Sequence, residues 1–192
     1  PENDTIRCFS DSTPPLIIWN HRWEFDKNPE DFFGALDAIL EKGSDFRLAL
    51  LGENFQMVPK AFIRAKERYG DRIVQYGYLE SREAYLDMLR QGDIVISTAT
   101  QENFGISVIE AVRYGCFPLL PERLAYPEII PRKFHSDVLY ENQESLIEKL
   151  AFLIQNRALF REQREKLSQQ MGQFAWDQMI RKYDETLETL TW

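Results

Sequence analysis

Five short apolar runs, most of them followed by an amphipathic stretch of helical length, set the limits on what this chain folds into. The runs are Leu16–Asn20, Phe46–Leu51, Ile73–Tyr76, Asp93–Ser97 and Phe117–Leu120. Each is too short for a buried helix and mostly apolar rather than strictly alternating, as expected of strands covered on both faces. Helix signals lie between them. Asn28-Pro29 supplies an N-cap and a first-turn proline ahead of Phe32, Phe33, Leu36, Ile39 and Leu40, with Gly43 as the stop. Pro59 opens a second helix carrying Phe62, Ile63, Ala65 and Tyr69 up to Gly70, and Ser81 caps a third with Tyr85, Leu86, Met88 and Leu89 up to Gly92. A weaker sixth strand is expected at 138–140, then helices at about 143–155, 157–171 and 174–190. This rhythm predicts an α/β fold, a doubly wound Rossmann-like parallel sheet of about six strands with C-terminal helices. Residues 1–15 read as a polar entry linker ending in Pro14-Pro15, and 16–192 as one domain.

At 192 residues and 44% hydrophobic content, the chain has enough apolar surface for one core. Net charge is −8, which argues against a broad nucleic-acid surface, since phosphate contacts need clustered Lys and Arg. Cys8 and Cys116 form no disulfide framework or zinc pattern, and Cys116, beside Phe117, reads as a small core residue. His135, in a polar stretch, reads as surface. There is no apolar stretch of membrane-spanning length and no signal-peptide pattern, so no membrane partner and a cytoplasmic location are expected. No metal cluster, Ser–His–Asp set, Walker glycine loop or GxGxxG fingerprint is present, which argues against a metal site and a nicotinamide cofactor. The first residue is not Met, and residue 1 reads as a cut point in a longer protein.

Ligands of such a sheet bind beyond the carboxyl ends of its strands. After the fourth strand, Glu102-Asn103-Phe104-Gly105-Ile106 leads into a helix that carries Glu110 and stops at Gly115. A glycine at a strand-to-helix turn leaves amides open to an anion at the positive end of the helix dipole. Glu102 and Glu110, spaced E-x7-E, then either hold uncharged parts of one extended ligand or serve as a helix-terminus carboxylate and an exposed helical residue. After the first strand, Arg22 and Lys27 either converge on a diphosphate or are solvated cations, Arg22 pairing with Glu24 or Asp26. His21 either hydrogen-bonds a donor sugar or phosphate or packs within its loop. Gly52 and Gly77 close strands two and three. The turn reading is favoured for both over close approach of a ligand flanked by Tyr78 or Leu79.

Taken together, these residues resemble the C-terminal, donor-binding half of retaining glycosyltransferases of the two-domain GT-B architecture. The resemblance covers nearly all of residues 16–190. It implies that Arg22 and Lys27 grip the donor diphosphate, that Glu102 faces the donor sugar and that Glu110 holds the ribose. It further implies that the Phe104, Gly105 and Ile106 amides bind phosphate and that the Gly77-Tyr78-Leu79 turn flanks the base. Tyr126-Pro-Glu-Ile-Ile130 and Phe174-Ala-Trp176 match two further family positions. Departures are His21 for a usual glycine, Gly52-Glu53-Asn54 for Gly-acid-Gly, and Ser97-Thr98-Ala99 for a more typical Pro-Ser. The run Trp19–Phe33 is more similar to the tRNA-queuosine mannosyltransferase branch, which implies GDP-mannose as donor, no metal, and queuosine-modified tRNA as acceptor. The alternatives are a UDP-sugar-dependent retaining transferase acting on a glycan or lipid, and a non-catalytic nucleotide-binding module. The resemblance places the acceptor site and most of any tRNA grip in an N-terminal half absent from this sequence. It thus implies a fragment with little or no activity alone.

Overall fold

The expected strands all form, and they join in one parallel sheet. The computed structural model describes residues 13–52 and 58–189. Residues 1–12 of the expected linker, Cys8 among them, and Glu53 and Asn54 lie outside the described residues. In chain order the elements are β1 (Leu16–Trp19), α1 (Pro29–Glu41), β2 (Arg47–Leu50), α2 (Lys60–Tyr69), β3 (Ile73–Tyr76), α3 (Arg82–Gln91), β4 (Ile94–Ile96) and α4 (Ile106–Arg113). They continue with β5 (Phe117–Pro121), α5 (Tyr126–Ile129), α6 (His135–Val138), β6 (Leu139–Tyr140), α7 (Gln143–Gln155), α8 (Arg161–Met171) and α9 (Trp176–Thr189).

The sheet order is β3-β2-β1-β4-β5-β6. From β1 the chain crosses outward to β2, and from β4 it crosses the other way to β5. Right-handed crossovers therefore put α1 and α4 on opposite faces. Helices α1, α2 and α7 pack together on one side, and α3, α4 and α8 on the other. The loops after β1 and β4 diverge at this reversal, which opens a crevice between them. The buried strand runs stand in the middle of the sheet: every residue of β1, β4 and β5 is buried.

Trp19 anchors the core beneath that crevice. Its ring lies 4.6 Å from Phe32 and 6.0 Å from Phe62, and Trp23 stacks on Phe62 at 4.1 Å. Truncating a buried aromatic of this kind costs about 3–5 kcal/mol. The loop after β1 is thus pinned to the core by Trp23 before it reaches Lys27.

Several local expectations are corrected. Asn28 precedes α1 but does not cap it by accepting from a backbone amide. It stands at φ 49°, its own N–H closes a 3-10 turn on the Phe25 carbonyl, and its Nδ2 donates to Asp31 at 2.6 Å. Ending one turn while starting a helix forces the left-handed conformation, which asparagine tolerates better than most residues. On α2 the inward position next to Phe62 is Ala61, whereas Ile63 is exposed. The helix expected at 157–171 opens as a 3-10 turn over Arg157–Phe160, and Val138 ends a short helix rather than starting β6. His135 is half-buried, its Nε2 2.7 Å from the Ile130 carbonyl. Ser81 caps α3 as expected, accepting from the Ala84 amide at 3.0 Å.

Candidate functional site

At one side of the crevice the loops after β1 and β4 are bridged by hydrogen bonds. The Thr100 amide donates to the Asp26 carbonyl at 2.8 Å, and the Thr98 hydroxyl reaches the Lys27 and Asn28 carbonyls, both at 2.9 Å. These bonds carry Lys27 across the gap. Its Nζ donates to the Gln101 carbonyl at 2.7 Å and lies 3.3 Å from Glu102 Oε2 and 3.1 Å from Asp26 Oδ2. The Lys27 side chain is only 9% exposed and that of Glu102 16%. A cation buried to this degree needs its charge met, and here two carboxylates and a carbonyl meet it.

Glu102 turns its other oxygen to the start of α4. Oε1 accepts from the Gly105 amide at 2.9 Å and the Phe104 amide at 3.4 Å. Burial alone raises the Glu102 pKa, but the Gly105 amide, the Lys27 charge and the Phe104 amide together outweigh it, so the net shift is downward. Two of the three amides expected to meet a phosphate are thus engaged by this carboxylate. Ile106 and Ser107, at the first helical positions, present the amides that a helix leaves without internal acceptors. Gly105 stands at φ 79°, and a Cβ there would lie 3.2 Å from the Tyr126 ring. Glycine is favoured by the positive φ, and any side chain there would also press on the Tyr126 ring.

His21 is 3% exposed, edge-on to Trp19 and 3.4 Å from the Ser107 hydroxyl through Nδ1. Its Nε2 has no hydrogen-bond partner among the described residues. Burial, and then the positive charge of Lys27, lower its pKa from 6.5 to about 4, against the opposing pull of Glu102. The ring is neutral at pH 7. Because the unfolded chain takes up this proton first, the His21 contribution to stability is complete above pH 6.5 and is lost as pH falls towards 4. A shift of that size is worth about 3 kcal/mol. His21→Asn is expected to flatten the acid limb of melting temperature against pH between about 6.5 and 4, with the limb from Glu102, below pH 4.5, retained. An unchanged limb would remove His21 as its source.

Arg22 and Lys27 border the same crevice but in different surroundings. The Arg22 side chain is 55% exposed and pairs with Glu24 at 3.0 Å, although Arg22 lines the crevice on both sides of the loop. On one side a cavity of about 360 Å³ is lined by Asn20, His21, Arg22, Lys27, Glu102, Asn103, Phe104, Gly105, Ile106 and Ser107. On the other, a cavity of about 530 Å³ is lined by Asn20, His21, Arg22, Leu51, Gly52, Tyr78, Leu79, Glu80, Arg82 and Tyr85. The two share the Asn20-His21-Arg22 wall. Gly52 stands at φ 142°, and a Cβ there would meet the His21 carbonyl oxygen at 2.1 Å. Its place is filled by the neighbouring loop, so the glycine serves loop packing. Gly77 stands at φ 101° with open space around it, and the exposed Tyr78 and half-buried Leu79 follow at the cavity wall.

Glu110 lies on the α4 face towards α3. It accepts from the Tyr85 hydroxyl at 3.3 Å and pairs with Arg82 at 3.2 Å. It borders a third, more apolar cavity of about 640 Å³ that includes Phe104, Ile106 and Trp176, and Arg82 lines this cavity and that of Tyr78 alike. The structure thus brings Lys27, Glu102, His21 and the α4 amides into one cluster and sets Glu110 beside it, across Tyr85. Sequence reading missed Asn20, Asp26, Thr98, Ser107 and Tyr85. Asn20 and Ser107 sit in legible places, at a strand end and in a first helical turn. Tyr85 looked like one more member of an apolar stripe.

A Rossmann-like parallel sheet with a buried lysine–glutamate pair and helix amides at its reversal point is the arrangement expected of one half of a GT-B glycosyltransferase. The chain belongs to the family of glycosyl transferases group 1, whose family model matches residues 4–174. It is 38% identical over 169 residues to a tRNA-queuosine alpha-mannosyltransferase of Drosophila melanogaster, covering 87% of this chain and 44% of that protein. A GDP-mannose-dependent alpha-(1-6)-phosphatidylinositol dimannoside mannosyltransferase of Mycobacterium tuberculosis is 26% identical over 121 residues, or 62% of this chain and 31% of its own length. The fold matches sucrose-phosphate synthase from Thermosynechococcus elongatus with a TM-score of 0.74 at 16% identity, over 94% of this chain and 47% of that one. The chain therefore spans less than half the length of these relatives. No helix among the described residues is long and apolar enough to cross a membrane.

Proposed function

We propose that this chain is the donor-binding half of a retaining transferase that moves mannose from GDP-mannose to queuosine in tRNA, in the cytoplasm. The observation that carries the reading is the 38% identity, over 87% of the chain, to a protein named for that reaction. A second relative is also named for GDP-mannose. The geometry is compatible with it. A diphosphate in the smaller cavity meets Lys27 and the Ile106 and Ser107 amides, with Arg22 able to swing from Glu24 at the rim. Glu102 and Asn103 face the sugar, Glu110 the ribose, and Tyr78 and Leu79 the base.

The chemistry asked of these residues is electrostatic. As the bond between the sugar C1 and the diphosphate oxygen breaks, negative charge grows on the leaving group while C1 becomes oxocarbenium-like. Fixed donors aimed at that growing charge act most strongly where water is excluded. Lys27, its ammonium held by Gln101, Asp26 and Glu102, serves as a fixed positive charge on the wall of the site. Glu102 is kept ionised by its amide and lysine contacts, so it stabilises positive charge at the sugar rather than donating a proton. Among the described residues no three metal-ligating side chains converge, and the reading uses no metal.

Calorimetric titration with GDP-mannose, GDP, UDP-glucose and UDP tests the donor. Guanosine ligands are expected to bind at least about tenfold more tightly. Tighter uridine binding rejects the mannosyl reading and leaves a UDP-sugar transferase. The 192-residue chain alone is expected to bind nucleotide weakly and transfer little or nothing, because the tRNA-binding surface and the facing wall of the cleft are assigned to the other half. Transfer by this chain alone would overturn that assignment.

A further inference from the structure

Behind Glu110 runs a hydrogen-bonded chain whose direction is fixed at every link. Asn20 is 7% exposed, and its Nδ2 donates to the Ser107 carbonyl at 2.6 Å and to the Tyr85 hydroxyl oxygen at 3.1 Å. The Ser107 carbonyl only accepts, which settles which end of the Asn20 amide faces it. Because Tyr85 receives a proton from Asn20, its own hydroxyl proton is left for Glu110 Oε2, 3.3 Å away. Burial, and then the charge of Glu110, raise the Tyr85 pKa, so the phenol stays a donor at any physiological pH. The other partner of Glu110, Arg82, is 73% exposed and contributes little fixed geometry.

We infer that Tyr85, oriented by Asn20, is a positioning residue that fixes the Glu110 carboxylate and so sets a preference for ribose over 2′-deoxyribose in the bound nucleotide. The inference rests on the donor-site reading, in which Glu110 meets the ribose. A carboxylate held by one half-buried donor of fixed orientation keeps its remaining lone pairs aimed in a constant direction. A vicinal pair of ribose hydroxyls can then satisfy them, whereas a 2′-deoxyribose leaves one unmatched. A site built to hydrogen-bond a hydroxyl rejects the analogue lacking it because its own polar groups go unpaired. Asn20 also sits on the wall shared by the two cavities, so the same side chain ties the start of α4 to the ribose carboxylate.

The test compares GDP with 2′-deoxy-GDP, and UDP with 2′-deoxy-UDP, by calorimetric titration of the protein and its Tyr85→Phe, Asn20→Ala and Glu110→Gln variants. Melting temperature is measured alongside. The unsubstituted protein is expected to favour the ribonucleotide by about tenfold or more, and Tyr85→Phe to cut that ratio to about two- to threefold. Asn20→Ala, which removes the donor from the far end, should lower the ratio in the same direction and serves if Tyr85→Phe fails to fold. A structural loss alone would weaken both nucleotides equally and leave the ratio unmoved. If the ratio survives Tyr85→Phe and Asn20→Ala but falls with Glu110→Gln, the positioning role is overturned while the ribose assignment stands. If it survives Glu110→Gln as well, or if no nucleotide binds, the donor-site reading itself fails.

Discussion

Lys27→Ala is expected to lower the turnover of the full-length transferase by about 10²–10³-fold, with a smaller effect on donor KM. Lys27 is the buried cation of the cluster, held by Gln101, Asp26 and Glu102 on the wall of the cavity that the start of α4 also lines. Removing one preorganised donor from a site where negative charge develops costs about that factor. The same change leaves the Asp26 and Glu102 carboxylates facing each other without a cation between them. Truncating one member of a buried pair costs about 3–5 kcal/mol, so a fall in melting temperature should accompany the lost turnover. Lys27→Arg separates the two effects. It retains the charge, and with it most of the stability, but replaces a compact ammonium by a planar fork that does not fit the same three oxygens. Rate measurements on both variants and on Glu102→Ala decide the matter. Activity that survives Lys27→Ala and Glu102→Ala would show that the transfer site lies elsewhere.

Gly52→Ala is expected to be the most damaging single methyl addition at the carboxyl edge, destabilising the chain by about 2–6 kcal/mol. Its φ of 142° is one that side-chain-bearing residues rarely adopt, and the added Cβ would stand 2.1 Å from the backbone carbonyl oxygen of His21. A backbone atom of a neighbouring loop cannot rotate away as a side chain would. Strain and overpacking therefore add. The displaced loop carries His21, Arg22 and, further on, Lys27, so folded Gly52→Ala protein should also bind nucleotide more weakly. Gly77→Ala is the contrast: a comparable positive φ of 101°, with nothing within 4 Å of the new methyl. It should cost only the backbone strain, about 1–3 kcal/mol. Equal destabilisation of the two variants in chemical denaturation would show that the His21 clash does not operate.

The sheet and its order of strands and helices could be read from residues alone, and so could most members of the Lys27–Glu102 cluster as candidates. Runs such as Ile94-Val-Ile96 are too short and too apolar to be anything but covered strands, and glycines at 77, 92 and 115 mark their neighbours' ends. Lys27, Glu102 and Gly105 were legible because each sits at a strand-to-helix turn, where a charge or a missing side chain has few structural reasons to be. The less legible residues act through partners distant in sequence. Tyr85 has the spacing of a packing residue, and only the approach of α3 to α4 turns its hydroxyl onto Glu110. Gly52 read as a turn glycine, but the contact that demands it comes from His21. Ile63 and Ala61 exchanged roles because both fit the stripe of α2 and only the packing against α1 selects between them.

Local pattern by itself determined which segments become strands and helices, because burial of alternating or continuous apolar positions is decided over a few neighbouring residues. It also determined that the E-x7-E stretch leads into a helix at a sheet edge. Tertiary structure alone decided how the charges divide. Arg22 and Lys27, five residues apart, looked like an equal pair, yet one lies exposed on Glu24 and the other is buried between two carboxylates and a carbonyl. That division depends on bonds from Thr98 and Thr100 across the sheet reversal. A charge's surroundings are set by whichever chains fold around it, and no run of adjacent residues contains that information.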